Sequence, residues 1–513
     1  MANIVIFTGT SRLDQKDTAG RIHAGSSTLR ALGAYQIASI LRANGYTVQV
    51  IDYYWQLIKQ SEDFANVFKK YVGPDTLWVG WSNTFFEGRA KDDKGRGFVT
   101  NDQLMQDSIG LGERGCNFVK NWCNQQNPNI KFVVGGAKTW RWSQQKFKFF
   151  DYFIEGYADA TALHLTDYLA GKTKTLKTII NLNGSESIVY DKKGSLFDFA
   201  NHRHTWHHSD FIEHGASLPV EISRGCIFKC AYCNYPLNGK KKNDYIRSAE
   251  MLVDELTYNY ETFGTTHYAF SDDTHNDSVD KLEFLYNHVY SKLPFKIRFS
   301  TYLRLDLLAA HPQTIELLKE SGLAGCFFGI ESLNPDANKT IGKTSTEEKI
   351  FENLHMVNEV WKDDVIVNMG LIIGLPNDSI KTCTEWFERI LKKDTPYDWA
   401  AISPLQILPN KDRDPHWQNK MELNPESYGY TFDNNGVWTN NTGMTANDAA
   451  RLKKQFDAYM QEQKGLVRHY YDPLRATGLG RSLEQYYSSP NIELINKESA
   501  IVQDYIKNLL KDS

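Results

Sequence analysis

The chain has no run of about 18 apolar residues, so no membrane-spanning helix is expected. It also has little excess charge. A formal net charge of −4 offers no global basic field for nucleic acid or an anionic membrane, although a local basic patch is compatible with it. Cysteine is scarce, with 7 in 513 residues, and no secretory leader is expected before them. Met1-Ala2-Asn3-Ile4-Val5-Ile6-Phe7 is too short and uncharged for a signal peptide and reads as a first strand. A disulfide scaffold is therefore disfavoured, and the expected setting is a reducing cytoplasm. The remaining composition, 41% hydrophobic and 23% charged, is ordinary for a globular protein. The length calls for more than one domain, roughly three. Aromatics make up 13% of the chain, which suits deep apolar pockets without proving them.

The few cysteines are unevenly placed. Three of the seven fall within eight residues, Cys226, Cys230 and Cys233, spaced C-x3-C-x2-C. The apolar lead-in Leu218-Pro219-Val220-Glu221-Ile222 reads as a short buried strand that ends at them. Thiolates so close in sequence, on a loop after a strand, can converge on one small object, and iron–sulfur clusters are held this way. Three ligands to a four-iron cube leave one iron open for substrate or cofactor, as a catalytic zinc keeps a free position. A zinc site would need a fourth Cys or His, and none sits close behind Cys233. Cys116, Cys123, Cys326 and Cys383 are scattered and read as core residues.

Before this loop, strands and helices alternate. Residues 3–8, 46–52, 77–82, 130–134 and 152–154 read as strands, and segments such as 104–127 and 159–170 as helices. This pattern predicts an α/β domain over 1–170, an open parallel sheet with helices on both faces. Ligands of such sheets bind outside the strands' carboxyl ends, where Thr8, Ser82, Gly135, Gly136 and Gly156 stand. Residues 171–217 read as a linker carrying a hairpin over 178–190. Its His202, His204, His207 and His208 read most simply as exposed linker histidines.

From Leu218 the alternation restarts through six strand–helix units and ends with a strand over 399–407. Ser248 caps one helix and Gly264 closes it; Ser345 and Glu348 read as a capping box for another. The polar residues sit at strand carboxyl ends, where parallel barrels place active sites. Residues 218–409 thus read as a partial (β/α)6 TIM-type barrel. Residues 410–513 read as a small, mainly helical cap without recognisable chemistry. Lys240-Lys241-Lys242 is most simply a solvated turn, with a phosphate or acidic substrate as the alternative.

The triplet Cys226, Cys230, Cys233, with Tyr232 before the last cysteine, resembles the signature of the radical S-adenosylmethionine (SAM) enzymes. The Arg224-Gly225 lead-in resembles the subset with an N-terminal cobalamin-binding-like domain. Leu32-Gly33, Leu41, Asn44-Gly45, Val48, Asp52, Val134-Gly135-Gly136 and Glu155-Gly156 are similar to that Rossmann-like domain. There are two departures. No D-x-H-x2-G motif offers a lower cobalt ligand, and the usual Gly-Glu-Gly-Glu corner has become Glu155-Gly156-Tyr157-Ala158-Asp159. A domain that binds no corrin and only packs over the barrel is the alternative.

The resemblance implies a [4Fe–4S] cluster whose open iron chelates SAM. Reductive cleavage of SAM then yields a 5′-deoxyadenosyl radical that takes hydrogen from substrate. It further implies that Tyr232 lines the adenine and that Ser271, Asp272 and Asp273 meet the SAM amino group. Arg304 would fork onto the SAM carboxylate, and Glu331 would bind the ribose or amine. Gly370, Ile372 and Gly374 would pack beside the adenine, while Asn377 replaces a frequent glutamate. Thr8, Ser82, Gly135, Gly136 and Gly156 would face cobalamin. An electron donor such as flavodoxin or ferredoxin is implied; the substrate, small molecule or peptide, is not readable. The leading expectation is cobalamin-dependent methylation of an unactivated carbon. A cobalamin-independent rearrangement, cyclisation or oxidation is the second, and a non-catalytic iron–sulfur binding protein the third.

Overall fold

The computed structural model describes residues 1–9, 29–82, 109–136, 139, 149–176, 179–181, 187–191, 196–234, 245–343, 345–392, 394–407, 418–434, 436–462 and 491–511. Lys240, Lys241 and Lys242 lie outside these. The described residues form two compact units, one from 1–213 with 491–511, the other from 214–462.

The first unit is a seven-stranded sheet of β1 (Ile4–Phe7), β2 (Val48–Ile51), β3 (Trp78–Ser82), β4 (Lys131–Gly135), β5 (Tyr152–Gly156), β6 (Ile179–Asn181) and β7 (Ser187–Asp191). Its order is β2-β1-β3-β4-β5-β7-β6. All pairs are parallel except β6–β7. The near-continuous apolar strands are buried on both sides, as a parallel sheet requires. Phe7 stacks on Phe68 and on Trp81 in the core beneath them.

Two boundaries differ from expectation. The segment 171–217 is not only a linker, because β7 pairs with β5 in register Gly156↔Asp191 and extends the sheet. Asp210 further takes a bidentate pair from Arg42, at 2.8 and 2.9 Å. Its histidines are not simply exposed: His204 is buried beside Gln36 Oε1 at 3.2 Å, and His207 caps the turn His208–Asp210. The final helix, Asn491–Leu510, does not join a separate cap. Tyr505 lies under the first sheet, where its hydroxyl accepts from the Asp52 N–H at 2.9 Å and donates to Val50 O at 3.2 Å. Arg30, buried and facing Asp52 at 3.6 Å, lies 4.6 Å above the Tyr505 ring.

The second unit holds six parallel strands, β8 (Leu218–Val220), β9 (His267–Phe270), β10 (Arg298–Leu303), β11 (Leu323–Glu331), β12 (Ile366–Ile373) and β13 (Trp399–Pro404), neighbours in chain order. Helices Ala249–Phe263, Val279–His288, Gln313–Glu320, Glu347–Trp361 and Ile380–Ile390 alternate with them. Ser248 and Gly264 cap the first of these as expected. The cap of Glu347–Trp361 is Thr346 rather than Ser345, its Oγ1 accepting from Lys349 N at 3.4 Å. Trp361 stacks on Phe328 and donates to Ile315 O at 2.8 Å, sealing the helix-covered face. Part of the expected cap belongs here too: hairpin β14 (Thr431–Phe432) and β15 (Trp438–Thr439), and helix Ala446–Glu462, which packs on β13. Cys116, Cys123, Cys326 and Cys383 are all buried.

Candidate active site

The cysteine loop leaves the carboxyl end of β8 and is held at both ends. At its start, Asp272 after β9 accepts from the backbone N–H of Ile222 at 2.9 Å and of Ser223 at 3.0 Å. Its other oxygen takes His275 Nδ1–H at 3.1 Å and faces Lys281 Nζ at 3.5 Å. Lys281 in turn donates to Ser223 Oγ at 2.8 Å and Thr274 O at 3.1 Å. All three charged or titratable groups are fully buried. Burial alone would raise the Asp272 carboxyl; the Lys281 ammonium and the His275 hydrogen bond outweigh it and hold it well below the usual carboxylate range.

Next, Gly225 adopts φ +89, a left-handed conformation costly to any residue with a Cβ. This turn aims its N–H at Asp273 Oδ2, 2.9 Å away. Burial, with Glu221 nearby, raises the Asp273 carboxyl to about 7. Cys226 follows, its Sγ 3.3 Å from Thr274 Oγ1. The far end of the loop is clasped from elsewhere. Ala231 N donates to Ile341 O at 3.0 Å, and Met421 N donates to Ala231 O at 3.1 Å. Asn419 Nδ2 donates to Tyr232 O at 2.9 Å, and Lys420 Nζ to Lys229 O at 2.8 Å.

Arg304, after β10, meets the middle of the loop. Its guanidinium forks onto Asp306 at 2.6 and 3.0 Å, lies 4.0 Å over the Phe228 ring, and points Nη1 at Cys230 Sγ, 3.8 Å away. Asn276 clasps the Arg304 backbone with two hydrogen bonds, 2.8 and 2.9 Å, tying the β9 and β10 loops together. Glu331 ends β11 at φ +71 after a register shift, and its carboxylate takes Lys343 Nζ at 3.0 Å. Tyr232 is half-buried, and burial, with the Glu331 carboxylate nearby, pushes its phenol up.

The structure therefore brings Cys226, Cys230, Tyr232, Asp273, Arg304 and Glu331 around one strand-end mouth. Ser271 is exposed there, its N–H on Val220 O at 2.9 Å. Asp272 is the exception: it is buried beneath the loop with both oxygens committed, so it braces the loop instead of contacting a ligand. Gly370, Ile372 and Gly374 lie along β12 and just past its end, with Tyr430 OH donating to Gly374 O at 2.8 Å. Asn377, at φ +68, bonds Thr340 Oγ1 at 3.0 Å. Sequence reasoning missed Lys281, Thr274, Asn276 and Asn419. The polar run from Ser271 to Ser278 signals a crowded turn, but nothing local marks Asn419, which acts 187 residues from its partner.

Among the described residues, no three His, Cys, Asp or Glu side chains could hold a single metal ion. A cluster gives each thiolate its own iron, which suits donors spaced along a loop.

Residues 220–387 match the radical SAM superfamily. The match identifies that stretch of the chain as a radical SAM domain. The superfamily's shared cofactors, a [4Fe–4S] cluster and SAM, are those the donor set suits. Bacteriochlorophyllide d C-12(1)-methyltransferase of Chlorobaculum tepidum is 24% identical over 274 residues, which are 52% of this chain and 56% of that protein. This chain therefore matches only about half of that relative's length. The radical SAM methyltransferase TsrM of Kitasatospora setae, solved with tryptophan and a SAM analogue, superposes with a TM-score of 0.60 at 13% identity, covering 99% of this chain and 100% of that one. The cobalamin-dependent radical SAM enzyme OxsB, with aqua-cobalamin and SAM, gives 0.52 at 13% identity over 99% and 72%. These likenesses establish the fold: a Rossmann-like parallel sheet and a radical SAM partial barrel. No described helix is long and apolar enough to cross a membrane.

Proposed function

We propose that this chain is a cobalamin-dependent radical SAM methyltransferase acting on an unactivated carbon of a small molecule. The observation that carries the proposal is the braced three-thiol loop with Arg304 and Glu331 facing it, in a fold that follows a radical SAM methyltransferase over its whole length. Cys226, Cys230 and Cys233 hold the cluster. Arg304 offers donors to the SAM carboxylate, Ser271 and Asp273 lie beside its amino group, and Glu331 accepts from a ribose hydroxyl. Tyr232, Gly370, Ile372 and Gly374 flank the adenine. Bound cluster supplies the electron that splits SAM, and bound cobalamin carries the methyl group.

Parallel register supports cobalamin. It lines up Thr8, Ser82, Gly135, Gly136 and Gly156 at the carboxyl edge of the first sheet. There Thr8 Oγ1 is buried with no hydrogen-bond partner among the described residues, an orphan that a polar ligand edge would satisfy. An electron donor of the flavodoxin or ferredoxin class completes the scheme.

Anaerobic purification with iron, sulfide and hydroxocobalamin tests this. The expected result is a cluster absorbance, bound cobalt, and both S-adenosylhomocysteine and 5′-deoxyadenosine from SAM. Replacing Cys226, Cys230 or Cys233 by Ala should abolish the 5′-deoxyadenosine. If 5′-deoxyadenosine appears alone and corrinoid has no effect, the enzyme is cobalamin-independent. A cluster without SAM cleavage under strong reductant would make it a binding protein.

A further inference from the structure

Inner strands of a parallel sheet are normally buried on both faces. In the second unit one face obeys this: Phe299, Thr301, Cys326, Phe328, Met369 and Ile402 are all buried. The opposite face does not. Tyr302, on β10 between two neighbours, is 42% exposed. Ser403 on β13 is exposed, and Phe327, Ile372 and Ala401 are only half-buried.

Register gathers these residues on one surface. Tyr302 lies opposite Phe327, Gly370 opposite Ala401, and Ile372 opposite Ser403. The Tyr302 and Phe327 rings are 5.3 Å apart between centroids and tilted by 55°. Phe327 lies across β12 because position 370 has no side chain; a Cβ there would sit 2.5 Å from two ring carbons. Two residues below Tyr302 on the same face, Ser300 Oγ is buried with no hydrogen-bond partner among the described residues. Charge lies at the rims, with Arg298 below, and Arg304 and the Glu331–Lys343 pair beside Gly329 above. The described inner-face residues of β10 and β11 between them, Ser300, Tyr302, Gly325 and Phe327, carry none.

We infer that this face, whose β12 edge at Gly370 and Ile372 also borders the adenine, is the substrate pocket, that Tyr302 and Phe327 form its stacking platform, and that it selects a neutral, flat, conjugated ring carrying a polar atom within reach of Ser300. The inference rests on the radical SAM reading above for what happens to that ring. The selection itself follows from the surface: an aromatic wall rewards a second flat π-face, and an uncharged cleft rejects an ion it cannot pair.

Equilibrium dialysis on the full chain, with and without reconstituted cluster, tests it using three probes. 2-Naphthol is flat, neutral and carries one hydroxyl. Naphthalene-2-sulfonate has the same ring with a charge, and cyclohexylmethanol has the hydroxyl without the ring. We expect one saturable 2-naphthol per chain and at least about tenfold weaker binding of the other two. Tyr302→Leu and Gly370→Ala should each weaken 2-naphthol by about tenfold. Tyr260→Ala, which removes an exposed ring stacked on Phe295 on the outer helix Ala249–Phe263, should change nothing. If Gly370→Ala disturbs folding, Tyr302→Leu carries the test, since its ring is solvent-exposed. Equal binding of all three probes, or no effect of Tyr302→Leu in a protein that melts like the parent, overturns the inference. Dialysis needs no SAM cleavage, so the two readings fail separately. Selectivity retained without cleavage upholds the platform and sinks the radical reading, and cleavage with indifferent probe binding does the reverse.

Discussion

Asp272 is the residue whose loss should disable the cysteine loop from beneath. Asp272→Ala removes the acceptor of the Ile222 and Ser223 N–H groups and leaves Lys281 charged, buried and without its nearest carboxylate. Breaking one side of a buried ion pair costs about 3–5 kcal/mol. For a unit of this size that corresponds to roughly 6–20 °C in melting temperature. Asp272→Asn keeps the shape but loses the charge, and its amide presents donors to groups that are already donors. Lys281→Met alone leaves the carboxylate its hydrogen bonds but removes the cation that offsets its charge, so the double variant Asp272→Asn with Lys281→Met should be less harmful than the two single costs added, with a coupling of about 1–3 kcal/mol. The sign with pH is fixed by direction. The folded carboxyl lies below its unfolded value, so its contribution is complete above the unfolded pKa and is lost as pH falls toward the folded one. Acid unfolding of the parent should therefore include a component that Asp272→Asn lacks. Urea melts of the second unit's transition, together with iron bound per chain after reconstitution, measure both consequences. A cost for Asp272→Ala below about 1 kcal/mol with unchanged iron loading would refute the brace.

Three further outcomes are expected. Gly225→Ala forces a Cβ into φ +89 and should cost about 1–2 kcal/mol while lowering cluster occupancy, read by iron content and absorbance. Burial raises the Asp378 carboxyl to about 7 against hydrogen bonds from Asn334 and the Leu375 N–H. The folded state thus holds this proton more tightly than the unfolded chain, and stability should fall as pH rises from about 4 to about 7, by about 4 kcal/mol at most. Asp378→Asn should flatten that window in a pH series of melts. Tyr505→Phe removes the hydroxyl bridging Asp52 N and Val50 O and should cost about 1–3 kcal/mol in the first unit's transition only. A matched shift in the second transition would contradict the division into units.

Much of the barrel was legible because its signals are local. Apolar strand runs, the Ser248 cap and Gly264 each depend on residues a few positions apart. The Ser345 assignment slipped by one because Thr346, an equally good cap, stands beside it. The role of Asp272 was harder. An acidic residue after a strand reads equally well as a ligand contact or as a brace, and only the position of Lys281 beneath it separates the two.

Taken alone, the linear order determined the spacing of the three cysteines, the strand–helix alternation and the glycine that turns the loop, because those properties travel with short windows of chain. Folding decided which carboxylate is sealed away, that β7 joins the first sheet, that the last helix lies under β2, and that Asn419 clasps the loop at Tyr232. It also decided that Tyr302 and Phe327 share an uncharged face. These facts are partnerships between residues far apart in sequence, and no local pattern encodes which distant group will arrive to satisfy a buried hydrogen bond or cover an open ring.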